Sequence, residues 1–278
     1  MCWRSVLPLL LLTSGAVAGE GYIVGAGIEG DSNGGFSLAA LGEFGVTEAT
    51  WVSATLAHYT VDSAAGVDSE SWFADVGIDH WFDPLGVRLG LSRWGDNDSL
   101  DSDDWRASLY WRADRFSIAA DYAHRDFTFD LPASDLFPSR TVDFDANGVG
   151  ATLRFDVSDT VDILFSGMDY DYGVNLRLDR NRAVTDLLSF SRLSLITTLV
   201  DYRIGATLGV EAGERRWQFD LSSWEGEADR SSTRSLTVSF LNPLGEKADI
   251  EFVLGLDDSE LYGDVSFFSV FVYFYGSG

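Results

Sequence analysis

An alternation of apolar and polar residues along almost the whole chain is the strongest constraint on its fold. Across positions 196–210, one face reads Ile-Thr-Val-Tyr-Ile-Ala-Leu-Val, whereas the intervening residues read Thr-Leu-Asp-Arg-Gly-Thr-Gly. Positions 250–256 repeat the pattern, with Ile, Phe, Leu and Leu alternating with Glu, Val and Gly. Successive strand residues point to opposite faces of a sheet, so each segment has one apolar and one polar side. The sequence therefore predicts an all-β protein built from amphipathic strands.

Gly, Asp, Asn and Pro residues divide the chain into about fourteen such segments, with twelve or sixteen as the alternatives. The connections alternate between tight turns and longer loops, which is typical of a transmembrane antiparallel up-and-down β-barrel. We therefore predict a single barrel domain. The predicted strands are 20–30, 34–45, 48–60, 70–82, 85–95, 103–114, 115–126, 142–156, 159–172, 196–210, 213–224, 231–241, 247–257 and 262–275.

The first residues of the chain, 1–18, have the features of a cleaved signal peptide. Arg4 supplies the positive start, residues 6–12 form an apolar core, and Ala16-Val17-Ala18 provides a small-x-small cleavage site. The apolar core is too short to span a bilayer as a helix. We therefore expect the barrel to occupy residues 19–278.

Charge and composition exclude several classes of function. The net charge of −25 and the pI of about 4.2 argue against nucleic-acid binding, because such a chain cannot release counterions from phosphates. The only cysteine, Cys2, lies in the predicted signal peptide. His58, His80 and His124 are isolated in sequence, and neither GxSxG nor HExxH occurs. We therefore expect no catalytic residue, no cofactor and no metal centre.

Tryptophan and proline positions favour a membrane barrel over a soluble sandwich or lipocalin-like barrel. All four prolines after the signal fall in predicted turns or loops, as the missing N–H requires. A soluble fold would also have to bury outward apolar faces such as that of 85–91. The remaining tryptophans lie near predicted strand ends, where they would form aromatic girdles at the membrane interfaces: Trp51, Trp72, Trp81, Trp94, Trp105, Trp111, Trp217 and Trp224.

These features together resemble the outer-membrane β-barrel porins and channels of Gram-negative bacteria. The last strand resembles the carboxy-terminal signal read by the barrel-assembly machinery, with aromatics at Phe267, Phe271, Tyr273 and Tyr275, although 276–278 follow in place of a terminal Phe. The resemblance implies the bacterial outer membrane as the location. It also implies contact with lipid and with lipopolysaccharide, the latter bridged to the acidic outer rim through divalent cations.

Charged residues on the polar faces predict the lining of a lumen. If the apolar faces point outward, a basic set faces inward: Arg88, Arg106, Arg112, Arg125, Arg154, Arg203 and Arg216. An acidic set lies on the strands around the closure: Glu29, Glu43, Asp75, Asp79, Asp249 and Glu251. The two sets could create a transverse field across a pore. Alternatively, nearby acids, including Asp121, Asp143, Asp201 and Asp220, could neutralise the arginines as structural ion pairs.

Two loops carry further hypotheses. The segment 173–195 could fold into the mouth and narrow it, or could simply be an ordered outer loop. The acidic run from Asp96 to Asp104 resembles a calcium loop, but it lacks the glycine and the closing glutamate of an EF-hand, so a diffuse acidic rim fits better.

The function predicted from the sequence is a porin-like channel for passive or substrate-selective diffusion of small hydrophilic solutes. Arginine-only basic residues would suit anions such as carboxylates or phosphates, whereas the net acidity would favour cations at the mouth. The alternative is a non-conducting outer-membrane barrel with a structural or adhesive role, or a lipid-modifying enzyme.

Overall fold

The computed structural model describes residues 21–62, 68–96, 100–131, 139–173, 199–227, 230–260 and 263–276. The signal peptide predicted at 1–18 and nearly all of the loop 173–195, which could narrow the mouth, lie outside these residues. The described residues contain no helix long and apolar enough to cross a membrane. They form fourteen strands: β1 (Gly21–Asp31), β2 (Phe36–Thr47), β3 (Thr50–Asp62), β4 (Asp68–Trp81), β5 (Leu85–Gly95), β6 (Leu100–Ala113), β7 (Phe116–Leu131), β8 (Arg140–Ser158), β9 (Val161–Tyr172), β10 (Val200–Ala212), β11 (Arg215–Gly226), β12 (Ser232–Pro243), β13 (Ala248–Ser259) and β14 (Gly263–Gly276).

The fourteen strands form one closed antiparallel barrel. Each strand pairs with its neighbours in sequence, and β1 closes the sheet by pairing with β14 as well as with β2. One end of the barrel, the turn end, carries the start of β1, the end of β14 and the short connections 48–49, 82–84, 114–115, 159–160, 213–214 and 244–247. The opposite end, the loop end, carries the long connections 132–139 and 173–199. The predicted class, strand number and closure are confirmed.

Register and exposure distinguish the two faces of the barrel wall. Large apolar side chains on one face remain exposed, among them Leu91, Val149 and Leu254, each 61–62% exposed. Their neighbours on the other face include Ser102 and Ala146, which are fully buried. Exposed large apolar residues on every strand form a continuous apolar belt that only a bilayer can cover. The barrel is therefore a transmembrane one, and its polar face points into the lumen.

Aromatic rings on the outer face cluster at two levels. Trp105 packs against Tyr122 and His124 towards the loop end. Trp111 packs against Phe116 towards the turn end. Clusters at these two heights fit the interfacial girdles predicted from the sequence.

The prediction that all eight tryptophans belong to the girdles is wrong for half of them. The register places Trp51, Trp81, Trp94 and Trp224 on the inner face, in line with charged lumenal residues. Trp94 and Trp224 are buried there. Proximity to a strand end does not reveal the face of a side chain, because a shift of one residue reverses it.

Three strands extend beyond the predicted boundaries at the loop end. Strands β6, β7 and β8 run into segments predicted as the loops 96–102 and 127–141. The acidic residues of these segments suggested a loop, yet the intervening Phe127 and Phe129 pack inside the barrel. The described carboxylates of the acidic run do not converge on one site: Asp101 and Asp103 face outward towards Arg93, whereas Asp104 faces inward.

Glycines opposite aromatic rings allow the inner wall to pack closely. The segment 25–30 matches the GxGxxG pattern of dinucleotide-binding loops but lies within strand β1, so it does not form such a loop. A Cβ atom added at Gly27 would lie 2.2 Å from Cδ1 and 2.5 Å from Cγ of Phe271 on β14. The Phe271 ring therefore lies directly over the β1 backbone, which only glycine permits.

We expect Gly27→Ala to lower the free energy of unfolding by about 1–3 kcal/mol, because the added methyl overpacks this contact. The measurement is urea unfolding of the barrel in liposomes. Gly30→Ala on the same strand is the control, since its Cβ would meet nothing closer than 3.7 Å. A double-mutant cycle with Phe271→Ala should show coupling between the two positions. Equal stability of the two glycine variants would contradict this account.

Candidate functional site: the charged lumen

The register places all seven predicted arginines on the inner face. Strands β4 to β11 carry eight inward arginines, the predicted seven and Arg140, and an equal number of carboxylates: Asp75, Asp79, Asp104, Asp121, Asp156, Asp162, Glu211 and Asp220. Formal charge on this half of the wall is therefore balanced. Whether these residues act as a pore lining remains a prediction.

Neighbouring carboxylates engage the arginines of β5 and β6. Arg88 donates from Nε and Nη2 to Oδ2 of Asp79, at 3.0 and 2.9 Å. Tyr110 donates its hydroxyl to the other oxygen of Asp79 at 2.6 Å. Arg106 forms an ion pair with Asp75, although the two residues come from β6 and β4. Both acids were predicted to oppose the arginines across the lumen; they instead lie beside them.

Asp162 on β9 joins two more arginines. Arg216 of β11 contacts its Oδ1 at 2.6 Å, and Arg154 of β8 approaches its Oδ2 at 3.7 Å. Arg216 also contacts Glu211 at 3.2 Å, and Arg154 contacts Asp156 at the same distance. The carboxylate of Asp162, itself buried, thus links three strands on the lumenal face, β8, β9 and β11.

Arg125 occupies the most enclosed position among the predicted arginines. It is 4% exposed, its Nε lies 3.2 Å from Oδ2 of Asp104, and Ser102 donates to the other oxygen. The guanidinium carbon lies 4.9 Å from the Phe127 ring centroid and 5.6 Å from that of Tyr170. Arg125 is therefore a structural residue held by one carboxylate and two rings.

The remaining two predicted arginines pack over aromatic rings. Arg112 lies 5.8 and 5.9 Å from the ring centroids of Tyr110 and Trp81. Arg203 lies 6.0 Å from the Trp224 ring centroid. Within the described residues neither forms an ion pair. Five of the seven predicted arginines therefore form the ion pairs that the structural interpretation expected, and the other two pack against aromatic rings.

Two of the acids expected among the arginines lie elsewhere. Asp143 is exposed and its register partner is the outward Thr128, so it faces away from the lumen. Asp201 lies in a β-bulge at the loop end and pairs with Arg230. By contrast, Asp121 and Asp220 face inward and accept hydrogen bonds from hydroxyl groups, those of Ser108 and Thr152 and that of Thr207 respectively.

On the other half of the wall, the charged residues described on the inner face are all acidic. Within the described residues, strands β12, β13, β14, β1, β2 and β3 place no Arg, Lys or His on the inner face. They carry six inward carboxylates: Glu29, Asp31, Glu43, Asp249, Glu251 and Asp257. Three of them accept hydrogen bonds from hydroxyl groups: Tyr273 donates to Glu251 at 2.7 Å, Tyr275 to Asp249 at 3.4 Å and Ser269 to Glu29 at 2.5 Å. Hydroxyl donors orient a carboxylate without neutralising it.

The four aromatics of β14 noted in the sequence, Phe267, Phe271, Tyr273 and Tyr275, face inward, which the sequence could not decide. Tyr273 and Tyr275 both hydrogen-bond to acids of β13 inside the barrel, at 2.7 and 3.4 Å. The lipid-facing residues of this strand are Phe268, Val270, Val272 and Phe274. Both faces of the strand are apolar, so alternation gave no preferred orientation.

Side-chain exposure shows where the lumen is open. The side chains of Arg88, Arg106 and Arg154 face the interior of a closed barrel, yet remain 62%, 49% and 49% exposed. Water reaches such side chains only through the lumen. The lumen is therefore accessible to solvent from its turn end to about mid-height.

Towards the loop end, an aromatic cluster narrows the same half of the lumen. Its buried members are Trp94, Leu100, Phe127, Phe129, Phe144, Ala146 and Leu199, flanked by Phe73, Val142, Tyr170 and Tyr172. The rings of Phe127 and Phe144 stack at 4.9 Å. Sequence analysis missed this cluster because it assigned 127–141 to a loop.

An arginine at the loop end ties β10, β11 and the connection that follows. Arg230 has φ of +58°, and its guanidinium contacts Asp201, Glu225 at 3.6 Å and Glu227 at 3.0 Å. Burial raises the pKa of the Glu227 carboxyl, an effect that Arg230 opposes and Asp201 reinforces.

Comparisons with solved structures agree with this architecture. The CymD monoaromatic hydrocarbon channel aligns with a TM-score of 0.56 at 9% identity, covering 94% of this chain and 88% of CymD. The chain has the fold of outer-membrane channels. A TodX deltaS2S3 mutant, also a monoaromatic hydrocarbon channel, aligns at 0.51 and 8% identity, covering 95% and 91%. The KdgM porin in complex with oligogalacturonate aligns at 0.46 and 8%, covering 91% and 98%. No protein-family model and no curated protein matches the sequence.

Proposed function

We propose that this barrel is an outer-membrane channel for passive diffusion of small hydrophilic solutes. The observation that carries the proposal is the exposure of inward-facing Arg88, Arg106 and Arg154 inside a closed barrel. A lumen that solvates guanidinium groups contains water. A barrel of fourteen strands has a lumen wider than that of a packed eight-stranded barrel and narrower than that of a sixteen-stranded porin, so it has room for small solutes. The aromatic cluster would then act as the constriction that limits solute size.

The membrane setting of this proposal follows from the outer surface. The apolar belt and the two levels of aromatic rings suit a lipid bilayer. We propose lipopolysaccharide as a partner of this surface, bridged to the acidic loop end by divalent cations. We propose the barrel-assembly machinery as the partner for insertion.

Ion pairing weakens the case for anionic solutes. Carboxylates and phosphates would need guanidinium groups that can exchange partners, and five of the seven predicted arginines already contact carboxylates of the wall. Arg112 and Arg203 are the two that an anion could contact without displacing an acid.

The test is single-channel recording after the protein has been refolded and inserted into a planar lipid bilayer. We expect steady conductance steps, and swelling of protein-loaded liposomes in small sugars but not in larger oligosaccharides. Heat-denatured protein is the control. A correctly folded barrel that neither conducts nor permits swelling would refute the channel and favour the non-conducting alternative, a structural, adhesive or lipid-modifying barrel.

A further inference from the structure

We infer that the lumen selects cations, and that Glu43, Asp249 and Glu251 at the turn end set this preference. The inference rests on the proposed channel function and names the charge class of its solutes. It depends on where negative charge is compensated and where it is not.

The first step is the balance of positive and negative charge on strands β4 to β11, the half of the wall that carries the arginines. Ion pairs in this half join residues on the same or nearby strands, such as Arg88 with Asp79 and Arg216 with Asp162. Paired charges this close present a dipole to a passing ion, whose field decays much faster with distance than that of a single charge. The five paired arginines therefore contribute little positive potential to the middle of the lumen.

The second step is the excess of negative charge on the opposite wall. Glu43 lies on β2, and Asp249 and Glu251 lie on β13, all on the inner face near the turn end. Within the described residues, none of these three carboxylates forms an ion pair with a basic side chain. The acids of β13 are held by Tyr273 and Tyr275, which fix their positions and leave their charge in place. Glu43 is itself exposed, so its carboxylate meets lumenal water.

The third step concerns the distance over which the electrostatic field of these carboxylates acts. The Debye length is about 10 Å at 0.1 M salt, so the field of these carboxylates extends into a lumen of this size. Among the inward arginines that the structure describes at the turn end of the facing half, Arg112 is the one without an ion pair, which leaves the acidic residues in excess. Low-dielectric walls concentrate this field in the lumen and raise the local concentration of cations.

The experiment is the reversal potential of the bilayer-inserted protein under a tenfold KCl gradient. We expect a K⁺ to Cl⁻ permeability ratio well above one, rising as the salt is diluted. The triple variant Glu43→Gln/Asp249→Asn/Glu251→Gln should lower this ratio several-fold. Heat-modifiable migration in gels verifies that each variant is folded.

A charge-neutral variant provides the matched control. Asp75→Asn/Arg106→Gln removes one lumenal carboxylate and one lumenal guanidinium, which form a pair, and should leave the ratio unchanged. Anion preference of the wild type, or a ratio unaltered in the triple variant, would overturn the inference while leaving the channel intact. Absence of conductance would instead be a failure of the proposed function.

Discussion

Arg125→Ala should lower the free energy of unfolding by about 3–5 kcal/mol, because it leaves a largely enclosed carboxylate without its counter-ion. The side chain of Arg125 is 5% exposed and that of its partner Asp104 is 18% exposed. Loss of the guanidinium also removes contacts with the rings of Phe127 and Tyr170. Asp104 would retain only the hydroxyl of Ser102. Urea unfolding in liposomes, followed by tryptophan fluorescence, measures the loss.

The control for this prediction is an ion pair of similar geometry at the surface. Arg115 contacts Asp159 at 3.2 Å, but the two side chains are 65% and 94% exposed. Arg115→Ala should therefore cost at most about 1 kcal/mol. The double variant Arg125→Met/Asp104→Leu replaces the buried pair with apolar groups and should recover much of the lost stability. A cost for Arg125→Ala no larger than that for Arg115→Ala would show that the buried pair is unimportant.

Phe127→Ala should both destabilise the barrel and raise its single-channel conductance. Phe127 is 1% exposed, stacks on Phe144 and lies beneath Arg125, so truncation should cost about 3–5 kcal/mol. The same truncation removes ring volume from the inner face where the aromatic cluster narrows the lumen. A wider constriction conducts more ions and admits larger sugars in liposome swelling.

A lipid-facing phenylalanine separates the two effects. Phe165 on β9 points outward and is 47% exposed, so Phe165→Ala alters the belt but not the lumen. Its conductance should match that of the wild type. If Phe127→Ala also conducts like the wild type, the aromatic cluster does not form the constriction.

Much of the fold was predictable from the sequence because alternation is a local property. Fourteen strands were expected, and fourteen are found, with closure between β1 and β14. Strands with one clearly polar face also revealed their orientation: Arg88 and Arg106 were expected inward, and the register places them there.

Strands with two apolar faces did not reveal their orientation. For β14, a lipid-facing register and a lumen-facing register have similar hydrophobicity, so the positions of Phe271 and Tyr273 depended on contacts with other strands. Gly27 accommodates the ring of Phe271, and Glu251 accepts a hydrogen bond from Tyr273. The residues of the aromatic cluster were likewise hidden, because the acidic residues between them resembled a loop.

The sequence by itself determined that this chain forms a barrel of amphipathic strands with charges inside, because alternate residues of a strand point to opposite faces. Only the tertiary structure decided which charges neutralise each other. Arg106 meets Asp75 from 31 positions away, and Arg216 meets Asp162 from 54 positions away. Such pairs depend on strand stagger and curvature in the closed sheet, which set distances between strands that are not adjacent. Alternation within one strand carries no information about those distances.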